Sequence, residues 1–505
     1  MSSFYVENFG CRATQADGAA IEQQFRDQGL VRSDAPTEAD FVVLNTCAVT
    51  AAAEQEARAA IRRIRRQNPD CKIVITGCYA QRAPADLAAL DGVSQVVGNS
   101  HKHTLAQIAL AGTSETNISQ NREFIPVSDL ERSGANRQGH AEIFVSDIFA
   151  HTQLLAAPVF DSANERTRPN LKIQDGCNNR CSFCIIPSLR GRSRSLPIKH
   201  VLREVNQLVE AGYREIVLSG INLGRWGKDL DVERRAPSPV SSSGTRQSMI
   251  SFENLLQTIL AHTSIEKLRI SSVEPMDWTD SLIQLVAESP RIAKHAHVPM
   301  QSGSDSVLRR MHRKYRPWHY REKIEKIRAA MPDAAIGADV MVGFPGETDA
   351  EFEETRRMIG HLPFTYLHVF TFSARPATPA ATMPNQVPVH IARERNRILR
   401  ELATEKKLAF MRSFVGRELQ AITLNVVGED DDGPWTEALT DNYLKMRVRG
   451  SLEANQWLAA HVIDVENGEL SGIAAGKAER EFEREPGVEL PPVQPRSGGI
   501  IQPGA

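Results

Sequence analysis

No stretch of this chain reaches the roughly 18 consecutive apolar residues of a membrane-spanning helix, so a helical membrane protein is not expected. The N-terminal run MSSFYVENFGCRATQ lacks a basic segment followed by an apolar one. That absence predicts no secretory signal and a cytoplasmic location. An excess of one charge is missing as well: 60 Lys and Arg against 62 Asp and Glu leave a formal net charge of −2. Without a global basic field, contact with nucleic acid must come from local patches. Cysteine is sparse, with 7 in 505 residues. So few thiols in a large chain without a leader argue against a disulfide framework. They point to reduced thiols, whose placement becomes the main question. No internal repeat is present.

At roughly 100–200 residues per domain the length calls for two to four units. The first alternates short apolar runs, FYVENFG (4–10), FVVLNTC (41–47), KIVITGC (72–78) and VSQVVGN (93–99), with amphipathic stretches at 18–28 and 51–67. Strands alternating with helices predict a doubly wound parallel α/β sheet over 1–112. Residues 113–165 are polar and weakly periodic and read as a connector. A second α/β series, 166–395, has strand candidates at 171–176, 215–222, 267–275, 295–303, 335–344 and 366–372. Helical patterns fall between them, as at 197–211, 251–262, 278–289 and 317–331. Six β/α units fit a part-barrel, with all strand C-termini on one rim. Residues 231–248, rich in Pro and Ser, read as an exposed loop insertion. A charged helix at about 389–412 leads into strand-like runs at 418–427, 435–448 and 457–473, which predict a small all-β barrel closing the unit 396–475. Residues 476–505 read as a disordered tail.

The run IQDGCNNRCSFCIIP places Cys177, Cys181 and Cys184 directly after the first strand of the second series. A four-iron cluster normally takes four thiolates, so three leave one iron open. A structural zinc site would want a fourth Cys or His, and none lies nearby at the usual spacing. CxxxCxxC after the first strand of a β/α barrel resembles the radical S-adenosylmethionine superfamily. The resemblance implies that the open iron binds S-adenosylmethionine, and that the reduced cluster cleaves it to methionine and a 5′-deoxyadenosyl radical. Other strand ends fit a bound nucleoside: Ser219, Gly220, Ile221 and Asn222; Ser272 and Glu274; Gln301, Ser302 and Gly303; and the loop Gly343-Phe344-Pro345-Gly346-Glu347. Glycine lets backbone approach a ligand, while Glu, Ser and Gln hold amines or hydroxyls. Phe183, between the last two cysteines, offers apolar packing, and the superfamily commonly has an aromatic there near the adenine. Candidate contacts to S-adenosylmethionine are therefore Phe183, Gly220, Asn222, Ser272, Glu274 and Gln301.

Cys11, Cys47 and Cys78 lie far apart in sequence, yet each ends a predicted strand. Strand C-termini of a parallel sheet share one edge, so the three thiols could converge there. They could equally be buried strand-end cysteines packing as small hydrophobes. Cys71, before a strand, reads as structural.

The order of the NFGC strand, NTCAVT, TGCYAQ, CNNRCSFCIIP, HVPMQSGSDSVLRRM and GFPGE resembles the radical S-adenosylmethionine methylthiotransferases over roughly residues 3–470. One departure is Thr14, in GCRATQADG, where the family usually has Asn. The resemblance implies that Cys11, Cys47 and Cys78 hold a second [4Fe–4S] cluster, whose open iron presents the sulfur to be inserted. It also implies an external electron donor, with a flavodoxin-type protein as a plausible source, and leaves the sulfur donor unassigned. The last unit is similar to TRAM, a small barrel that often binds RNA. ALTDNYLKMRV (438–448) and VFTFSARPATPAATMPNQV (369–387) resemble stretches of the MtaB-type branch. That branch acts on the anticodon loop of tRNA carrying N6-threonylcarbamoyladenosine at position 37, at adenine C2. The same chemistry on isopentenyladenosine-37 tRNA or on a ribosomal-protein aspartate is the alternative; a non-catalytic iron–sulfur RNA-binding protein is a third. An unpaired loop base can be splayed into a pocket.

Basic groups offer further candidates. Arg190, Arg192 and Arg194 alternate after the cysteine loop. Arg58, Arg62, Arg63, Arg65 and Arg66 crowd one helix, and Lys445, Arg447 and Arg449 share a strand face. Each set is either a phosphate contact or a solvated face. His295 with His297, and His101 with His103, read as packing or surface residues rather than metal ligands.

Overall fold

The computed structural model describes residues 2–111, 141–151, 154, 167–230, 250–430 and 433–475. The insertion at 231–248, the tail at 476–505 and most of the connector at 113–165 lie outside the described residues. Among the described residues, no helix is long and apolar enough to cross a membrane.

The first unit is a six-stranded parallel sheet. Its strands are β1 (Ser3–Asn8), β2 (Val31–Arg32), β3 (Phe41–Thr46), β4 (Lys72–Gly77), β5 (Val93–Gly98) and β6 (Glu142–Phe144). They run in the order β2-β1-β3-β4-β5-β6. β6 falls inside the stretch read as connector; it pairs parallel with β5 through three residues and is too short to carry a period of its own. FVVLNT is buried at every position, as a strand covered on both faces must be. The helix Ala51–Gln67 lays Ala57, Ala60, Ile61 and Ile64 on one face, against Val42, Leu44, Ile73 and Ile75. Ile21 and Phe25 of the helix Arg12–Asp27 cover the other face with Phe4, Val43 and Val74. Two cores on two faces make the sheet doubly wound.

The second unit contains β7 (Asn170–Asp175), β8 (Arg194–Ser195), β9 (Glu215–Gly220), β10 (Lys267–Ile270), β11 (His295–His297), β12 (Ala335–Val342) and β13 (Tyr366–Thr371). β7, β9 and β10 pair in parallel, as do β11, β12 and β13. Bridges from Leu268 to Ile292 and from Ser272 to His297 join the two sets. The six parallel strands therefore follow chain order in an open part-barrel, with β8 antiparallel at one edge. Single-direction winding brings all six C-terminal ends to one rim.

The third unit is a closed barrel of β14 (Glu418–Asp430), β15 (Gly433–Thr440), β16 (Lys445–Arg449), β17 (Trp457–Glu466) and β18 (Glu469–Ala474). The runs at 435–448 and 457–473 are hairpins rather than single strands. They turn at Asp441–Leu444 and at Asn467-Gly468, where Tyr443 and Asn467 adopt positive φ.

Buried ion pairs tie the units together. Asp17 meets Lys172 of β7, Arg190 at 3.1 Å and Lys102 at 3.0 Å. Asp175 takes Lys172 at 3.0 Å and Arg190 at 3.1 Å. On the other side, Arg269 pairs with Glu215 at 2.6 Å and donates to the carbonyls of Thr440 and Asp441. Arg190, read as a phosphate contact, is instead only 2% exposed, with Nη1 on Asp175 and Nη2 on Asp17. A guanidinium so placed cannot reach RNA.

Candidate active site

The rim of the part-barrel faces the cysteine edge of the first sheet across a cavity of about 620 Å³. The loop after β7 brings Cys177, Cys181, Phe183 and Cys184 to it. Gly176 makes the turn possible: its φ is +72°, and a Cβ there would collide with the Arg192 carbonyl oxygen. Gln174 braces the loop, donating to the carbonyls of Asp175 (3.0 Å) and Gly176 (2.8 Å) and accepting the Asn222 N–H (2.7 Å). Cys184 N–H donates to the Cys181 carbonyl at 3.1 Å, which closes the turn between them.

The second triad sits behind Cys11. Only Cys11 lines the cavity; Cys47 and Cys78 are buried. Cys47 lies within electrostatic reach of both Cys11 and Cys78, and a Cβ on Gly10 would come within 3.0 Å of its sulfur. All three thiols follow neighbouring parallel strands and so share the C-terminal edge of the sheet. Thr14, the departure noted in the sequence, places its hydroxyl 3.6 Å from Cys11 Sγ.

Two observations test whether these thiols fit iron–sulfur clusters. First, among the described residues the one group of three ligands close enough for a single ion is His297, Asp339 and His368, within 4.8 Å of one another. Neither cysteine triad closes to that spacing, so neither is drawn around one bare ion. Second, N–H donors point at the sulfurs: Asn179 N–H (3.4 Å) and Asn222 Nδ2 (3.6 Å) at Cys177, Arg313 Nη1 (3.3 Å) at Cys181, Val49 N–H (3.5 Å) at Cys47 and Asn99 Nδ2 (3.7 Å) at Cys78. Such bonds favour thiolate ligands. Burial acts oppositely on the free thiols: it pushes Cys184 up to about 12 and Cys47 up to about 11, and raises Cys177. Cluster loading must therefore displace protons. The donor sets fit.

Phe183, Gly220, Asn222, Ser272, Glu274 and Gln301 all line the cavity. Ser219 Oγ, Asn222 Oδ1 and Gln301 Oε1 are buried without a hydrogen-bond partner among the described residues. Gln301 is also held at φ +63°. Unpartnered polar atoms and backbone strain in one cavity mark a site built for a polar ligand. Burial raises the Glu274 carboxyl, against the opposing pull of its partner Arg313.

The loop Gly343–Glu347 is not among the cavity residues. Phe344 enters the core. Glu347 accepts the Gly343 N–H at 2.7 Å and pairs with Arg395 of the helix Val389–Arg412 at 2.7 Å. This loop clamps a helix and does not line this cavity.

His295 and His297, read as packing or surface residues, form the wall opposite the cysteine loop, with Arg12, Asp339, Tyr366, His368 and Tyr443. The signal was present: alternate residues on a strand whose next residues reach the rim must face the barrel interior. Tyr366 Oη lies 2.7 Å from His295 Nε2 and 3.0 Å from His297 Nδ1. Asp339 Oδ1 lies 3.2 Å from His297 Nε2 and 3.3 Å from His368 Nδ1. Arg12 donates to Tyr443 Oη at 3.1 Å.

Comparison with known proteins agrees with this architecture. The model described as "Uncharacterized protein family UPF0004" matches residues 3–98, and that of the Radical SAM superfamily matches residues 171–359. The latter carries with it one [4Fe–4S] cluster and S-adenosylmethionine. The threonylcarbamoyladenosine tRNA methylthiotransferase MtaB of Bacillus subtilis is 36% identical over 452 residues, covering 89% of this chain and 91% of that one. The tRNA-2-methylthio-N(6)-dimethylallyladenosine synthase of Acidothermus cellulolyticus is 34% identical, covering 85% and 79%. Among solved structures, the radical S-adenosylmethionine methyltransferase TsrM of Kitasatospora setae superposes with a TM-score of 0.52 at 15% identity, over 75% of this chain and 77% of that one; the likeness is one of fold. With both family models in register and relatives above 30% identity across most of its length, the chain belongs to the radical S-adenosylmethionine methylthiotransferases, which are transferases.

Proposed function

We propose that this protein converts N6-threonylcarbamoyladenosine at position 37 of tRNA to its 2-methylthio derivative. The observation that carries the reading is one cavity reached by both cysteine triads, the first directly and the second through Cys11. When bound, the two [4Fe–4S] clusters and S-adenosylmethionine supply an adenosyl radical that activates the C–H bond and a methylated sulfur that replaces the hydrogen.

The chain's own residues have narrower tasks. Cys177, Cys181 and Cys184 hold the first cluster, with Asn222 and Arg313 donating to its thiolates. Cys11, Cys47 and Cys78 hold the second. Gly220, Asn222, Ser272, Glu274 and Gln301 surround S-adenosylmethionine, and Phe183 offers its adenine an apolar face. Glu274, paired on one side with Arg313, is the carboxylate among these residues that an ammonium group would meet, and Gly220 lets the ligand lie close to backbone. The apolar barrel floor below these residues excludes water from a reactive intermediate. The C-terminal barrel brings Tyr443 to the cavity, so the anticodon loop meets the second and third units together. An external electron donor of flavodoxin type completes the reaction.

The substrate assignment draws on relatives from several bacteria that carry the threonylcarbamoyladenosine name, and on the polar wall described above. The test is direct. Anaerobically reconstituted protein, dithionite, S-adenosylmethionine and an anticodon stem-loop carrying threonylcarbamoyladenosine-37 should yield the methylthio nucleoside by mass spectrometry. Product only from an isopentenyladenosine loop would overturn the reading.

A further inference from the structure

The wall facing the cysteine loop holds more hydrogen-bonding capacity than a reacting base carbon can use. Its core is a chain of side chains with fixed donor directions. A carboxylate only accepts, so Asp339 draws the hydrogen of His297 to Nε2. The other ring nitrogen, Nδ1, then faces the Tyr366 hydroxyl, which also lies within hydrogen-bond reach of His295 Nε2. Burial and the nearby Arg269 guanidinium hold His295 neutral. Asp339 itself is engaged by two imidazoles, those of His297 and His368.

Arg12 stands at the other end. It is half-buried, and among the described residues no carboxylate lies within ion-pairing distance of it. It donates to the Tyr443 hydroxyl at 3.1 Å and, through its carbonyl, accepts from Asn170 Nδ2 at 2.8 Å. Tyr443 is held in place at a backbone cost: its φ is +67°, a region that bulky residues avoid. Arg269 stacks on its ring at 5.4 Å while gripping the carbonyls of Thr440 and Asp441. His295 lies 4.5 Å from the same ring. Strain kept at a cavity wall, beside an unneutralised guanidinium, points to an anionic ligand at that spot.

Taking threonylcarbamoyladenosine as the target, as read above, we propose that Arg12, positioned by Tyr443, binds the carboxylate of the threonyl group, while Tyr366 and His295 face its amide portion. The isopentenyl group is a hydrocarbon and could satisfy none of these groups. A site built to hydrogen-bond a substituent rejects an analogue lacking it far more strongly than an apolar pocket rejects a misfit. Discrimination between the two tRNA substrates would then rest on the N6 substituent, away from the reacting carbon.

A tRNA phosphate is also an anion that Arg12 could take, and the experiment separates the two sources. Dissociation constants are measured for anticodon stem-loops bearing threonylcarbamoyladenosine or plain adenosine at position 37, on anaerobically reconstituted wild type, Arg12→Gln and Tyr443→Phe. Loss of a charge-assisted hydrogen bond should weaken the modified loop by about 10- to 100-fold in Arg12→Gln, leaving the plain loop unchanged. Tyr443→Phe should shift the same ratio, by less. Equal weakening of both loops would assign Arg12 to a phosphate and overturn the proposal, as would an unchanged ratio. Arg12 adjoins Cys11, so iron is counted in each variant; if Arg12→Gln loses iron, the ratio in Tyr443→Phe decides. Wild type that prefers the modified loop yet forms no methylthio product would sink the proposed reaction and leave this subsite standing.

Discussion

At the scale of single residues, the six cysteines divide by what surrounds them. Cys177, Cys181 and Cys184 are partly exposed on one loop and share a cavity, whereas Cys47 and Cys78 are buried at strand ends. If the loop generates the radical and the strand ends supply the sulfur, the jobs separate by mutation. Cys181→Ala should abolish S-adenosylmethionine cleavage to 5′-deoxyadenosine. Cys47→Ala should keep cleavage, lose the methylthio product and drop iron from about eight to about four per chain, one four-iron cluster. Equal loss of both activities in the two variants would refute the division. These cysteines were legible in the sequence because a thiol just past a buried apolar run has one place to go, the sheet's C-terminal edge. Arg190 was not, because its partners Asp17 and Asp175 lie on two different units and an Arg-x-Arg-x-Arg pattern looks the same whether it faces solvent or a buried carboxylate. The wall of His295, Tyr366 and Tyr443 was hidden for the same reason: it assembles from two strands and a turn remote in sequence.

At the scale of elements, the joint between the helix Arg12–Asp27 and β7 is ionic where an apolar contact would be ordinary. Burial alone would raise the Asp17 carboxyl, but Lys102, Lys172 and Arg190 outweigh it and hold the group well below the usual carboxylate range. Asp175 is held down in the same way, chiefly by Arg190 and Lys172. Removing one partner of a buried pair strands the others, so Asp17→Asn should cost about 3–5 kcal/mol. The pH dependence has a definite sign. A carboxylate with a depressed folded pKa contributes fully above its unfolded value, about 4, and loses that contribution as pH falls toward the folded one. Wild type should therefore lose unfolding midpoint steadily below about pH 4, and Asp17→Asn should show a shallower decline. Parallel curves in the two proteins would mean that Asp17 contributes little. Element positions in the parallel units were readable from apolar runs and helical periodicity. The hairpins of the third unit were not, since Asp441–Leu444 and Asn467-Gly468 interrupt the β pattern by only a few residues.

At the scale of the whole molecule, a net charge of −2 must coexist with binding a polyanion. The structure narrows which cations are available. On the barrel face, Lys445 pairs with Glu437 at 2.9 Å and Arg447 with Glu469 at 3.0 Å. On the helix Ala51–Gln67, Arg63 pairs with Glu7 at 2.9 Å. Arg192 differs: it is exposed, beside the cysteine loop, and its neighbour Ser193 is pinned by Asn178 at 3.0 Å. A cation already facing a carboxylate releases little counterion from RNA when it binds, whereas one facing solvent contributes close to a full charge. Arg192→Ala should therefore weaken tRNA binding and reduce the slope of log K against log salt by about 1, alike for modified and plain loops. Lys445→Ala should change the slope by much less, because Glu437 already neutralises that charge. Filter binding over a salt series reads both slopes. A larger effect at Lys445 than at Arg192 would move the RNA path off the cavity mouth and onto the barrel, and would separate phosphate contact from the Arg12 site, whose effect must follow the N6 substituent and not the salt.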